Sequence, residues 1–88
     1  MIDISIVVPL YNEEESLREL GAWIDRVVSS MGRSYEVIYV DDGSKDGTVA
    51  EVKKLAKNDE RVKMVSFSRN FGKEAAIFAG FQKAKAIM

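Results

Sequence analysis

The sequence lacks cysteine and histidine, and both absences exclude kinds of chemistry. With Cys 0 and His 0 in 88 residues, the chain forms no disulfide and offers no thiolate or imidazole ligand, so any metal would need oxygen ligands. An excess of charge of one sign is also missing, since 13 basic and 14 acidic residues leave a formal net charge of −1. Without a broad positive field, we expect no nucleic-acid partner, and any phosphate site must be local.

Long apolar runs and a basic leader are missing as well. The chain starts Met1-Ile2-Asp3, with an acid where a signal peptide carries basic residues. No uninterrupted apolar stretch approaches the roughly 20 residues that a membrane-spanning helix needs. We therefore expect a soluble, cytoplasmic chain. At 47% hydrophobic and 31% charged residues, it has the composition of one globular domain or part of one.

Three short β-branched or aromatic runs alternate with three helical patterns. The strand patterns cover residues 4–9, 35–40 and 62–67, and the helical patterns cover 12–31, 48–58 and 73–88. Pro9 is expected to end the first strand, because proline cannot donate to a ladder. The apolar residues expected to pack on one face of the first helix are Leu17, Leu20, Ile24, Val27, Val28 and Met31, and Trp23 is also expected to pack.

Capping patterns mark the expected helix boundaries. Asn12 with Glu15, and Thr48 with Glu51, predict capping boxes at the starts of the first and second helices. Gly32 is expected to stop the first helix. The third helical pattern reaches the last residue where a fourth strand would be expected, so we expect a truncated chain.

The element order β-α-β-α-β-α predicts an α/β fold with a parallel sheet covered by helices. Three loops follow the strand ends: the first loop (residues 9–14), the second loop (41–48) and the third loop (68–73). The carboxyl ends of parallel strands share one edge, and ligands bind there in such sheets. The three loops are therefore expected to form one pocket.

The first loop, Pro9-Leu10-Tyr11-Asn12-Glu13-Glu14, combines a fixed turn, an aromatic face and carboxylates at the start of a helix. Tyr11 can stack on a base, and Glu13 or Glu14 could accept hydrogen bonds from ribose hydroxyls. The same acids also stabilise the positive end of a helix by roughly 0.3–1 kcal/mol each. Both interpretations stay open.

The second loop, Asp41-Asp42-Gly43-Ser44-Lys45-Asp46-Gly47-Thr48, places paired acids after a buried strand. A calcium loop would need its final bidentate acid where Lys53 stands. A receiver-type phospho-acceptor would need paired acids after the first strand instead. A carboxylate that accepts from a base N–H or from ribose fits, with Gly43 allowing close backbone approach. An Asx turn that caps the second helix is the open alternative.

The third loop, Ser68-Arg69-Asn70-Phe71-Gly72-Lys73, offers two cations beside a glycine at the opening of a helix. Free N–H groups at a helix start favour anions, so a diphosphate would fit near Arg69 and Lys73. A solvated basic turn is the alternative.

Taken together, the three loops carry motifs that resemble family 2 glycosyltransferases. The matching blocks read VVPLYNEE at 7–14, VDDGS at 40–44 followed by Asp46 and Thr48, and SRNFGKEAA at 68–76. The third block is narrower and resembles the branch with polyprenyl-phosphate glucosyltransferases and dolichol-phosphate mannosyltransferase-like enzymes. That resemblance implies a lipid-phosphate acceptor.

The resemblance implies that residues 1–88 form the Rossmann-like, nucleotide-sugar-binding half of a GT-A domain. Asp42, together with Asp41, would hold the base, and the two cations of the third loop would lie near the diphosphate. The residues implied to contact the UDP-sugar or GDP-sugar are Pro9, Tyr11, Asn12, Glu13, Asp41, Asp42, Gly43, Ser44, Arg69 and Lys73.

The resemblance further implies inverting transfer of a hexose to polyprenyl or dolichyl phosphate, by a longer enzyme at the cytoplasmic face of the membrane. Family members hold Mg²⁺ or Mn²⁺ through a D-x-D motif after a fourth strand, and the metal neutralises the departing diphosphate. This chain has no such motif after its third strand, so we expect it to be inactive alone and assign it no metal ligand.

A noncatalytic, self-associating module is the alternative function. An unpaired sheet edge and an uncovered apolar face on the third helix, with Phe78, Phe81 and Ile87, tend to pair. We therefore expect homo-oligomers, and an absence of any nucleotide response would favour the module.

Overall fold

Three strands and three helices alternate along the chain. The computed structural model describes residues 2–67 and 72–84. The elements are β1 (Ile4–Leu10), α1 (Glu14–Ser29), β2 (Tyr35–Asp42), α2 (Thr48–Asn58), β3 (Val62–Phe67) and α3 (Lys73–Lys83). The strands form one parallel sheet in the order β1-β2-β3. The predicted α/β fold with parallel strands is confirmed.

The core lies on both faces of β2, the central strand, whose residues are all buried. Alternate side chains of a strand point to opposite faces. Tyr35, Val37 and Tyr39 pack against α1 and α2, whereas Ile38 and Val40 pack on the side of α3. Coverage on both faces explains why β2 is apolar from Val37 to Val40. Glu36 is a buried exception, and its carboxylate accepts a hydrogen bond from the Ser5 hydroxyl.

The α3 helix approaches the sheet closely at Gly80, which is buried. A Cβ atom at this position would lie 2.2 Å from Cγ1 of Val7 and 3.2 Å from Cγ2 of Val40. Such separations are well inside carbon–carbon contact distance, about 3.5–4.0 Å. The small residue in this helix is therefore required by the packing against β1 and β2.

Several predicted boundaries are wrong by one or two residues. β1 continues past Pro9, which is paired with Val40. Proline is tolerated because β1 borders only β2 among the described strands, so one of its sides needs no ladder N–H. α1 ends at Ser29 rather than Met31, and Gly32, at φ 66°, follows as the predicted stop. The prediction of a third helix up to Met88 concerns residues 85–88, which lie outside the described ones.

The packing predicted for one flank of α1 is also wrong. Trp23 and Met31 are 57% and 58% exposed, and Val27 is exposed as well. The buried stripe consists of Leu17, Ile24 and Val28. A helix that lies on one face of a sheet buries a narrow stripe, so apolar residues beside that stripe remain in contact with solvent.

The sequence predicts an uncovered apolar face on α3 with Phe78, Phe81 and Ile87, and the exposure of Phe78 agrees with this prediction. Phe78 is 63% exposed. The side chain of Phe81 and all of Ile87 lie outside the described residues. No helix in residues 2–67 and 72–84 has the length and apolar character needed to cross a membrane.

Candidate functional site

Two acids end the central strand at the carboxyl edge of the sheet. Asp41 and Asp42 are 1% and 4% exposed and belong to β2 rather than to the turn predicted after it. The strand continues through them because both neighbouring strands still pair there, Leu10 with Asp41 and Phe67 with Asp42. Burial of two carboxylates requires hydrogen-bond donors for both.

The two carboxylates bond to different loops. Asp41 Oδ2 accepts from the N–H of Ser44 at 3.0 Å, whereas Asp42 Oδ2 accepts from the N–H of Gly72 at 3.0 Å. Strand alternation places Asp41 on the side of α1 and α2, and Asp42 on the side of α3. Asp42 therefore joins the end of β2 to the opening of α3.

Asp41 has a second feature that its neighbour does not share. Its Oδ1 atom is buried without a hydrogen-bond partner among the described residues. A buried oxygen of this kind is unfavourable unless a donor reaches it. A bound water or a ligand donor would be stabilising at this atom.

The first loop is bonded to the second through its backbone. The consecutive N–H groups of residues 12–14 donate to Ser44 Oγ, Thr48 Oγ1 and Asp46 Oδ2, at 2.9, 2.9 and 3.3 Å respectively. The N–H groups of Glu13 and Glu14 are donors that the start of α1 leaves without intrahelical partners, whereas Asn12 precedes the N-cap. Side chains of the second loop thus satisfy the N-terminus of α1.

The second loop is bonded to the first in the reverse direction. The N–H of Lys45 donates to Asn12 Oδ1 at 2.8 Å, and the N–H of Gly47 donates to Glu14 Oε1 at 2.9 Å. Each loop therefore supplies both donors and acceptors to the other. The two loops form one hydrogen-bonded unit.

The predicted capping boxes do not form. The N-cap of α1 is Glu13 and the N-cap of α2 is Gly47, and neither makes a side-chain capping bond. Asp46 instead accepts from the N–H of Thr48 at 2.9 Å and from its hydroxyl group. The bond from the Thr48 hydroxyl is the main reason why the pKa of Asp46 lies below its ordinary value. The Asx-type turn foreseen as the open alternative is therefore present.

Three further predicted residues, Tyr11, Pro9 and Gly43, lie around this edge. Tyr11 is 41% exposed, and Pro9 is half-buried within β1. Gly43 has φ 79°, a left-handed conformation that glycine adopts without strain. Arg69 lies outside the described residues, and nothing is described of the side chain of Lys73.

Sequence reasoning considered Glu14 only as a possible ribose contact and did not assign Thr48 or Gly72 to the site, although all three bond across its loops. Their one available signal was position, since each lies where a helix begins after a strand end. In residues 2–67 and 72–84, no group of three or more acids is arranged to hold a metal ion.

A cavity of about 350 Å³ lies elsewhere, between α1 and α2, and none of its lining residues belongs to the three loops. Tyr39 and Leu55 contribute to its apolar wall. At its rim, Arg61 pairs with Asp59 at 3.0 Å and stacks on Tyr35, 4.6 Å from the ring centroid. Two acids, Asp25 and Asp59, balance the two arginines of the lining, Arg18 and Arg61, so the cavity has no excess of positive charge for a phosphate.

Comparison with known proteins decides the family. The model of the family described as glycosyl transferase family 2 matches residues 5–86. This chain belongs to glycosyl transferase family 2. The resemblance to this family inferred from the three loops is confirmed.

Similar proteins carry related names. The family 2 chain is 43% identical over 84 residues to an uncharacterized glycosyltransferase of Synechocystis and 44% identical over 79 residues to the putative glycosyltransferase CsbB of Bacillus subtilis. It is 41% identical over 83 residues to an undecaprenyl-phosphate 4-deoxy-4-formamido-L-arabinose transferase of Pseudomonas paraeruginosa. These matches cover 96%, 90% and 93% of this chain, and 26%, 24% and 24% of the relatives. The chain thus spans about a quarter of their length.

Proposed function

We propose that this chain forms the nucleotide-binding edge of a glycosyltransferase that uses a UDP-sugar or GDP-sugar donor. The observation that carries the proposal is Asp42, a buried carboxylate at the carboxyl end of the central strand, hydrogen-bonded to the opening of α3. Ligands of open α/β sheets bind at this edge. Family membership supports a sugar nucleotide as the ligand.

Asp42 would hold the base. Uracil and guanine both present a ring N–H, and a carboxylate accepts such a donor in a charge-assisted hydrogen bond worth about 1.5–3 kcal/mol. Gly43 follows directly with φ 79°, so no Cβ obstructs the approach of a ligand to the backbone. Tyr11, 41% exposed on the neighbouring strand end, offers a ring face for stacking.

The diphosphate would lie toward the third loop rather than toward α1. A depression of about 400 Å³ at the start of α1 is lined by Asn12, Glu13, Glu14, Glu15, Ser16 and Asp46. Its carboxylates repel a diphosphate, and the N–H groups of residues 12–14 are already bonded to the second loop. In the sequence, the two cations Arg69 and Lys73 follow β3 and would supply positive charge for the diphosphate.

The Mg²⁺ or Mn²⁺ ion implied by the family does not fit the residues described here. Asp41 and Asp42 each accept a backbone N–H bond, and strand alternation directs them to opposite faces. We infer that the metal ligands belong to other parts of the full protein.

The acceptor of the full protein is proposed to be a polyprenyl or dolichyl phosphate. Support comes from the relative named for undecaprenyl phosphate, 41% identical over 83 residues. We further propose that the parent enzyme transfers a hexose with inversion, at the cytoplasmic face of the membrane, and that this chain alone is inactive. A self-associating module is the second candidate, and the exposed Phe78 and Trp23 side chains favour it.

A titration of the ¹⁵N-labelled chain with millimolar UDP and GDP tests the nucleotide proposal. The amide resonances of Gly43, Ser44 and Gly72 should shift, whereas those of Tyr35 and Val62, where β2 and β3 begin, should not. Unchanged spectra with both nucleotides would contradict the proposal. Unchanged spectra together with a concentration-dependent mass would favour the self-associating module.

A further inference from the structure

Asn12 has an unusual backbone conformation at the junction of β1 and α1. Its φ is 52°, and it is the non-glycine residue with positive φ in residues 2–67 and 72–84. This left-handed region disfavours residues with a Cβ atom, although asparagine tolerates it better than most. The turn allows the N–H and the side-chain carbonyl of Asn12 to reach the second loop, at Ser44 and Lys45.

The bonds of Asn12 belong to a larger set. Five hydrogen bonds join the first and second loops, and each one pairs a backbone N–H of one loop with a side chain of the other. Asn12 is the residue at which this set begins, directly after the exposed Tyr11. Neither of its two bonds caps α1, because the N-cap of that helix is Glu13.

We propose that Asn12 is a positioning residue for the nucleoside, rather than one of its ligands. Its side-chain oxygen is engaged with Lys45 at 2.8 Å and its N–H with Ser44 at 2.9 Å. Through these bonds it fixes the position of Tyr11, the preceding residue, relative to Asp42, the last residue of β2. This inference rests on the proposed nucleotide-binding function.

The physical reason is preorganisation. Tyr11 follows β1 and Asp42 ends β2, so a base that stacks on one and bonds to the other needs a fixed separation between two strand ends. A loop that must become ordered on binding lowers the affinity, whereas a loop already fixed does not. Ser44, also assigned to ligand contact from the sequence, accepts from Asn12 and shares this positioning role.

Two substitutions of Asn12 separate positioning from backbone strain. Asn12→Gly keeps access to the left-handed conformation and removes the side-chain bond, whereas Asn12→Asp retains an oxygen acceptor for Lys45 and also tolerates positive φ. Asn58→Gly is the matched control, since Asn58 donates to the Lys54 carbonyl within α2 and not to either loop. Uridine is titrated beside UDP, because it carries no phosphate charge that the new aspartate could repel.

Asn12→Gly should weaken uridine and UDP binding about five- to tenfold, the effect of losing a hydrogen bond that orders the site. Asn12→Asp should bind uridine like the wild type, and Asn58→Gly should leave both affinities unchanged even where its melting temperature falls. The amide resonance of Lys45 should move in Asn12→Gly and return in Asn12→Asp.

Wild-type affinity in Asn12→Gly would overturn the positioning role. An equal loss of uridine binding in the glycine and aspartate variants would also overturn it, since it would indicate a direct contact through the side-chain amide. If the wild-type chain binds neither probe, the proposed function fails, and the Lys45 amide resonance, which requires no ligand, then decides whether Asn12 couples the loops.

Discussion

Replacing Gly80 by alanine is expected to destabilise the chain, although alanine normally stabilises a helix relative to glycine by about 1 kcal/mol. The added Cβ would lie 2.2 Å from Cγ1 of Val7, more than 1 Å inside the usual contact distance of about 3.5–4.0 Å. Overpacking of a core costs about 1–3 kcal/mol. Since the contact is severe, the upper part of that range applies, and a net loss of about 1–2 kcal/mol remains after the gain in helix propensity.

The assay is thermal and urea unfolding followed by circular dichroism. For a domain of this size, about 1 kcal/mol lowers the melting temperature by about 4–8 °C. Gly21→Ala is the matched control, because its Cβ would lie 3.4 Å from Tyr39 Oη and 3.9 Å from Leu55 Cδ1. This control should be neutral or slightly stabilising.

The double variant Val7→Ala/Gly80→Ala tests the identity of the contact. Removing both Cγ atoms of Val7 makes room for the new methyl group, so the two substitutions should be coupled by about 0.5–3 kcal/mol. A Gly80→Ala variant as stable as the wild type would refute the close approach of α3 to the sheet. Strict additivity in the double variant would refute Val7 as the contact.

Two further predictions concern acid stability and self-association. The pKa of Asp46 is lowered in the folded chain, chiefly by the Thr48 hydroxyl, so its contribution to stability is present above the unfolded value near 3.8 and is lost as pH falls through the folded value. Asp46→Asn should therefore lower the melting temperature at pH 7 and differ less from the wild type near pH 2, and a difference that does not depend on pH would contradict this. Exposure of Trp23 and Phe78 should produce a mass that rises with concentration in light scattering, and Phe78→Ser should reduce the rise. A monomer at all concentrations would be the contrary result.

The order of strands and helices could be predicted because burial leaves a pattern in the sequence: a helix buries one face, and the central strand buries both. The run from Tyr35 to Val40 and the spacing of Leu17, Ile24 and Val28 carry this signal directly. The extent of a buried face is not encoded in the same way. Trp23 has a suitable position for packing, but no neighbouring element covers that flank of α1 in the described part of the chain.

The contacts of the candidate site were less predictable, because they join residues that are distant in sequence. The N–H of Asn12 bonds to a side chain 32 residues away, and that of Glu13 to one 35 residues away. A capping-box pattern compares only residues three positions apart. It therefore predicts that the side chains of Asn12 and Thr48 cap the helices that follow them, and it carries no information on bonds between the two loops. The sequence predicts a turn at Asp41 and Asp42 for a similar reason, because two acids interrupt the apolar strand pattern. Only their pairing with the neighbouring strands extends β2 to Asp42.

The most direct test of the nucleotide site compares Asp42→Asn with Asp46→Asn in titrations with UDP, GDP and CDP. Asparagine at position 42 can still accept from Gly72 through its carbonyl oxygen but loses the charge, so UDP and GDP binding should weaken about tenfold or more. Its NH₂ group can donate to cytosine, so discrimination between UDP and CDP should shrink. Asp46→Asn should reduce stability, with a much smaller effect on affinity, because Asp46 bonds to Thr48 and Glu14. Equal small losses in both variants, with base preference unchanged, would contradict the assignment of Asp42 to the base.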